Sequence, residues 1–129
     1  MKNAWIVIAG VAAIGVGFQV AGAKNPIGGA GAVKSKVKYA DVQKILTVNC
    51  ARCHGEERPR GGIDLTKYES VMKGGEQGAI VVAGNVKKSV LYSAISGVQG
   101  FRQMPPRGPK IGEKDLKTIE SWIKAGAKK

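Results

Sequence analysis

Apolar residues recur along the second half of the chain at the spacing of helix faces. Val42, Ile45 and Leu46 follow one another at helical intervals, with Asn49 on the same side, so a helix is expected to run from an N-cap at Asp41 into Cys50. Tyr68, Val71 and Met72 mark a short helix over 66–73, ended by Gly74-Gly75. Ser89 is placed to cap a third helix over Val90–Ser96, with Leu91, Ala94 and Ile95 as its buried side. The strongest pattern lies over Glu113–Lys124. Leu116, Ile119, Trp122 and Ile123 form one stripe there, with Glu113 and Asp115 at the start and Lys124 at the end, as the helix dipole prefers; Gly126 follows as a stop. Between these helices, 56–62 is a polar loop with Pro59 and Gly61-Gly62. The apolar run 79–83 is too short to classify and suits extended chain, and Gly84-Asn85 is a turn. Over 97–110, Gly97, Gly100, Pro105, Pro106, Gly108 and Pro109 forbid a stable helix.

The N-terminal third has a different texture. Lys2 precedes the uncharged run from Ala4 to Phe18, and Ala21-Gly22-Ala23 is a small-residue cleavage site, so 1–23 reads as an export signal peptide. The competing reading is an uncleaved membrane anchor, since the 20 residues from Ala4 to Ala23 hold only Gln19 as a polar side chain. The glycines and the Ala-x-Ala site favour cleavage. Residues 24–38 are rich in Gly, Ala and Lys and read as a flexible basic linker, whose four lysines suit a solvated tail or an anionic membrane surface. That leaves one domain over 39–129.

Charge and cysteine count narrow the chemistry. A formal net charge of +12 over 129 residues favours anionic partners: an acidic protein face, anionic lipid or nucleic acid. Nucleic acid is set aside, because no nucleic-acid module is present and the aromatics are not interleaved with the basic residues. The two cysteines fall in one motif, Cys50-Ala51-Arg52-Cys53-His54, which leaves no disulfide framework. Cys-x-x-Cys-His is the attachment spacing of a c-type haem. Two thiols three apart on a helical turn share a face, so both can reach the vinyl groups on one edge of a porphyrin, and the next residue offers an imidazole to the iron. The other imidazole N–H needs an acceptor, expected within 58–63. A closed zinc site would need more ligands than two cysteines and the single histidine supply. A thioredoxin-like pair would follow a strand rather than a helix, and a plain disulfide is the remaining alternative. In bacteria haem c is attached outside the cytoplasm, which agrees with an export signal and points to the periplasm.

A haem would give a domain of about ninety residues an apolar centre that its few aromatics cannot supply. His54 is the only histidine, so a second imidazole ligand from the chain is excluded. Met104, 50 residues later and directly before Pro105-Pro106, is the natural candidate for the sixth position. The alternatives are that Met104 only fills space, or that Met72 takes the role from its helix. Arg52, Arg102 and Arg107 are candidates to pair with a haem propionate, or else solvated surface cations.

These residues together resemble a family. From Tyr39 to Ala127 the chain is similar to a monohaem class I c-type cytochrome domain, and more closely to the planctomycete-type cytochrome c. The likeness rests on Ile45-Leu46 before Cys50-Ala51-Arg52-Cys53-His54-Gly55, on Gly61-Gly62-Ile63-Asp64-Leu65, on Lys73-Gly74-Gly75-Glu76-Gln77-Gly78 and on Val82-Ala83-Gly84-Asn85. Ser89-Val90-Leu91, Met104-Pro105-Pro106 and Trp122-Ile123-Lys124-Ala125-Gly126-Ala127 complete it. One departure is Gly84-Asn85-Val86, where the family often has Pro-Gly-x-Pro. The resemblance implies an all-α fold wrapped around one covalently bound haem, with His54 proximal and Met104 distal to the iron. It implies a one-electron carrier between acidic-faced redox partners outside the cytoplasm, or, if 4–23 is retained, a membrane-anchored haem subunit of a larger electron-transfer complex. A small peroxidase would need a distal acid–base group, and only Glu76 or Glu56 offers itself.

Overall fold

The described chain, residues 36–57 and 59–129 of this computed structural model, follows four helices and one short 3-10 turn. These are α1 (Tyr39–Asn49), the turn Arg60–Gly62, α2 (Tyr68–Lys73), α3 (Val90–Ser96) and α4 (Glu113–Lys124). Among the described residues the only pairing of extended chain is an isolated bridge between Gly75 and Gly78, so the domain is a small all-α, cytochrome c-like fold. The expected signal or anchor over 1–23, most of the 24–38 linker and Arg58 lie outside the described residues. Among those described, no helix is long and apolar enough to cross a membrane.

α1 begins two residues earlier than its expected N-cap. Lys38 occupies the cap, and Asp41 stands at the third helical position, where its carboxylate accepts the Lys38 backbone N–H at 3.2 Å while its own N–H donates to the Lys38 carbonyl at 3.0 Å. The helix starts early because Tyr39 is a buried anchor. Its ring meets Tyr68 edge-on at 5.0 Å and Trp122 at 5.6 Å. With Val42 and Leu46 it forms the buried stripe of α1, and Val37 just before it packs partly against the same core.

α4 matches its expected span, and its stripe is buried as expected: Ile119, Trp122 and Ile123 are almost fully enclosed, with Leu116 half-buried. Its end is a Schellman motif. Gly126 has φ 97°, its N–H donates to the Ile123 carbonyl at 3.0 Å, and the Ala127 N–H donates to the Trp122 carbonyl at 2.9 Å. α1 and α3 both pack on α4. The tail is tied in as well: the Trp122 indole N–H donates to the Lys128 carbonyl at 2.7 Å, and the Tyr68 hydroxyl to the Ala127 carbonyl at 3.0 Å.

Three further local expectations are corrected. α2 starts at Tyr68 rather than two residues earlier, because the Asp64 carboxylate accepts both the backbone N–H (2.9 Å) and the hydroxyl (2.6 Å) of Thr66. That turn holds 64–66 outside the helix. Ser89 stands at the N-cap of α3 but does not cap it with its side chain. Its buried hydroxyl accepts the Val82 N–H at 2.9 Å and donates to the Asn85 carbonyl at 2.8 Å, and the Leu91 N–H goes instead to the Ile80 carbonyl at 2.9 Å. The run 79–83 is irregular, with Ile80 and Val81 buried, and the buried side of α3 holds Ser93 rather than Ala94.

Truncating Trp122 to alanine should cost about 3–5 kcal/mol. The melting temperature should fall by roughly 15 °C or more, since each kcal/mol is worth about 4–8 °C in a domain of this size. An unchanged melting temperature would show that the α1–α4 contact does not carry the fold. A second prediction concerns Tyr39. Its buried hydroxyl has no hydrogen-bond partner among the described residues, and burial, then the negative charge of Glu69 and Asp64, pushes its pKa up to about 12. The unfolded chain releases that proton near pH 10, so Tyr39 keeps its full contribution to stability below pH 10 and loses it as pH rises toward 12. Urea titrations of Tyr39→Phe should therefore show a shallower loss of stability from pH 10 to 12 than the wild type.

Candidate functional site

α1 delivers the motif. Its last turn continues into a separate turn, because the Cys50 and Ala51 N–H groups both donate to the Leu46 carbonyl, at 2.8 and 3.1 Å. The Cys53 and His54 N–H groups then fold back to the Cys50 carbonyl at 3.0 and 2.9 Å, which brings the two cysteines to one side. The His54 carbonyl accepts the Leu65 N–H at 2.8 Å, so the histidine is held at both ends of its backbone.

This turn forms one wall of a cavity of about 560 Å³, within the size range of cofactor sites. Cys50, Cys53, His54 and Met104 all line it. Ile63, Ile80 and Val90 add apolar surface, and Pro105 and Pro106 stand beside Met104. Met72, the alternative methionine, packs against the core and is not in this lining. Of the three arginines considered, Arg102 borders the cavity, whereas Arg52 and Arg107 do not; Arg60, which nothing in the sequence had singled out, does. Of the two candidate carboxylates, Glu76 lines the cavity and Glu56 pairs instead with Lys67 at 2.6 Å.

The floor depends on a glycine pair. The Glu76 N–H donates to the Gly61 carbonyl at 3.0 Å, and a Cβ on Gly75 would come within 2.5 Å of that same carbonyl oxygen and of Ile63 Cγ1. Only glycine lets the 75–78 turn lie against the 3-10 turn there. The opposite wall hangs from α3. The Met104 N–H donates to the Ala94 carbonyl at 2.9 Å, and the Gln103 side chain reaches the same helix end. Gln103 carried no sequence signal beyond standing next to Met104.

The ring nitrogens of His54 are distinguished by burial. Nδ1 is buried and has no hydrogen-bond partner among the described residues. The expected acceptor is not found in Pro59, Arg60 or Gly61, whose carbonyls accept the N–H groups of Gly62, Ile63 and Glu76. The Cys50 thiol has its pKa pushed up to about 11 by burial first and by Cys53 second. It is therefore a neutral thiol at physiological pH, unlike the activated thiolate of a redox pair. The two cysteines are not bridged, and among the described residues no cluster of three or more ligating side chains could hold a zinc ion.

Residues 50–108 match the family model of planctomycete cytochrome C. No curated protein and no solved structure matches the chain. The matched segment takes in both cavity walls, from Cys50 through Met104. A domain of this family carries covalently bound haem c and points to haem-based electron transfer. The cavity fits that group: two unbridged sulfurs at the attachment spacing, an imidazole with one nitrogen buried, and a lining with apolar side chains. Denaturation in acid acetone should leave the haem on the polypeptide. Haem passing into the solvent would overturn covalent attachment.

Proposed function

We propose, from the premise that residues 50–108 are a planctomycete-type cytochrome c domain, that the chain is a one-electron carrier whose haem is held by Cys50 and Cys53 and ligated by His54 and Met104. The observation that carries this reading is that all four side chains, from segments 50 residues apart, line one cavity. When bound, the haem supplies a ferrous–ferric couple. The residues of the chain do the rest. Cys50 and Cys53 fix one edge by thioether bonds, and His54 presents Nε2 from the turn beneath. Met104 would hold the iron by a soft thioether from the loop after α3, and with His54 such a pairing would raise the potential. Arg60 and Arg102 are the cations in the wall suited to haem carboxylates. Ile63, Ile80 and Val90 keep the site apolar. Glu76 is the one carboxylate in the described lining and is exposed, a poor setting for a distal acid–base catalyst; this supports a carrier over a peroxidase.

The net charge of +12 supports acidic-faced redox partners, with association slowing as salt rises. The export-type N-terminus supports a site outside the cytoplasm, in the periplasm. A second reading, favoured by the uncharged run from Ala4 to Ala23, keeps the same chemistry on a membrane-anchored haem subunit of a larger electron-transfer complex. N-terminal sequencing of the purified protein separates the two, since an intact Met1 means an anchor.

Met104→Ala should remove the sulfur-to-iron charge-transfer band of the ferric protein and let carbon monoxide bind readily. The potential should fall on the order of 100 mV, which corresponds to roughly a fiftyfold loss of ferrous preference at about 59 mV per tenfold. If the variant keeps both the band and the wild-type potential, Met104 is not the ligand and Met72 becomes the residue to test.

A further inference from the structure

We infer that Gln103 is a positioning residue for Met104, its side-chain amide pinning the Met104 loop to the C-terminal end of α3; this rests on the reading of Met104 as the axial ligand. The Gln103 Nε2 donates to three carbonyls: Met104 at 2.9 Å, Ile95 at 3.1 Å and Ala94 at 3.2 Å. Two of these belong to the last turn of α3, whose carbonyls have no partner within the helix. The third belongs to Met104 itself. One amide therefore satisfies a helix end and holds the residue after it. The network also fixes which end of the amide is nitrogen, because the reverse placement would set Oε1 against three carbonyl oxygens.

The need for such a pin follows from the local sequence. A methionine side chain has three rotatable bonds and finds a fixed partner only if its backbone is held. Pro105 and Pro106 restrict φ but have no N–H to donate. Within 104–106 the only backbone donor is the Met104 N–H, already committed to Ala94 at 2.9 Å. A second anchor has to come from a neighbouring side chain, and Gln103 is where it comes from. An independent feature makes room for it. Gly97, which caps α3 with φ 77°, would collide with Gln103 Oε1 if it carried a Cβ. The helix cap is thus shaped to let the amide lie against it.

The test uses the haem-loaded, full-length protein. Gln103→Leu keeps an apolar stem of similar length and removes every donor. If the amide positions Met104, added imidazole should displace the methionine from ferric iron with an affinity at least tenfold higher than in the wild type. The Met104 amide hydrogen should also exchange at least tenfold faster, while unfolding stays cooperative. Gln103→Asn, one methylene shorter, should shift both readouts in the same direction and serves if the leucine variant does not fold. Gly97→Ala, pressing on the amide from behind, should do likewise. Imidazole affinity and Met104 exchange both within twofold of wild type would overturn the proposal. So would a lowered melting temperature with wild-type imidazole affinity, which would mark Gln103 as a helix cap alone. Met104→Ala is the control. If imidazole binds it no better than the wild type, the ligand reading fails, while exchange at the Met104 amide still reports whether Gln103 pins the loop.

Discussion

The clamp between α1 and α4 sets the position of everything at the cavity. Tyr39 lies against both Tyr68 and Trp122, and Val42 and Leu46 extend the same buried stripe toward the motif. Because the Leu46 carbonyl accepts the N–H groups of Cys50 and Ala51, the turn carrying both cysteines and His54 is rooted in the last buried residue of that stripe. A shift of α1 across α4 would move the whole wall. α4 is in turn held from its far end, where Ala127 is fully buried and receives the Tyr68 hydroxyl, and where the Ile123 carbonyl takes the Gly84 N–H at 2.8 Å. One contact between two helices thereby organises α2, the segment before α3 and the motif turn together.

The core built on that clamp is mostly aliphatic and draws on all four helices and on Leu65, Ile80, Val81 and Ile111 between them. Several side chains that pack against it only in part, Cys50, Ile63 and Met104 among them, also face the cavity. In a domain this small, burying those faces matters, since apolar surface removed from water contributes about 25 cal/mol per Å². A flat apolar group in the cavity is thus both the functional centre and a continuation of the core. Tethering it by two thioethers removes the dependence on free ligand concentration that ordinary binding would impose.

Much of this was legible in the sequence where one local rule acted alone. α4 reads from end to end, because the stripe of Ile119, Trp122 and Ile123, the charges at both termini and Gly126 all agree. The motif and Met104, singled out by attachment spacing and the lack of a second histidine, line one cavity. Where two local rules compete, reading fails. Asp41 and Ser89 are both good caps by type, but a buried Tyr39 moves the start of α1 outward, and Ser89 is claimed by Val82 and Asn85 from a neighbouring segment. Asp64 likewise draws Thr66 into a turn that its place in a helical pattern does not reveal. The contact of Gly75 with Gly61 and the placement of Arg60 in the cavity lining depend on separate segments meeting there. Gln103 reaches back only eight and nine residues, but to the end of a helix whose position no local pattern gives.

The two walls differ in how they are held, and that difference bears on how an electron carrier of this kind responds to stress. The His54 wall is built from short-range backbone bonds within 46–65, continuous with the buried end of α1, and it carries both attachment cysteines, Cys50 and Cys53. The Met104 wall is a glycine- and proline-rich loop whose attachment to α3 runs through the backbone N–H groups of Val98 and Met104 and one side-chain amide, with Val98 and Phe101 exposed just before it. Local opening draws on the least-connected segments first. Heat or denaturant should therefore act on the methionine side before the histidine side and leave the α1–α4 clamp intact. Under the proposed ligation, Met104 would have to stay in place in both oxidation states to keep reorganisation small, so the demand on the weaker wall would be the stricter one. That is the physical reason for an amide, a glycine cap and two prolines to gather around a single methionine.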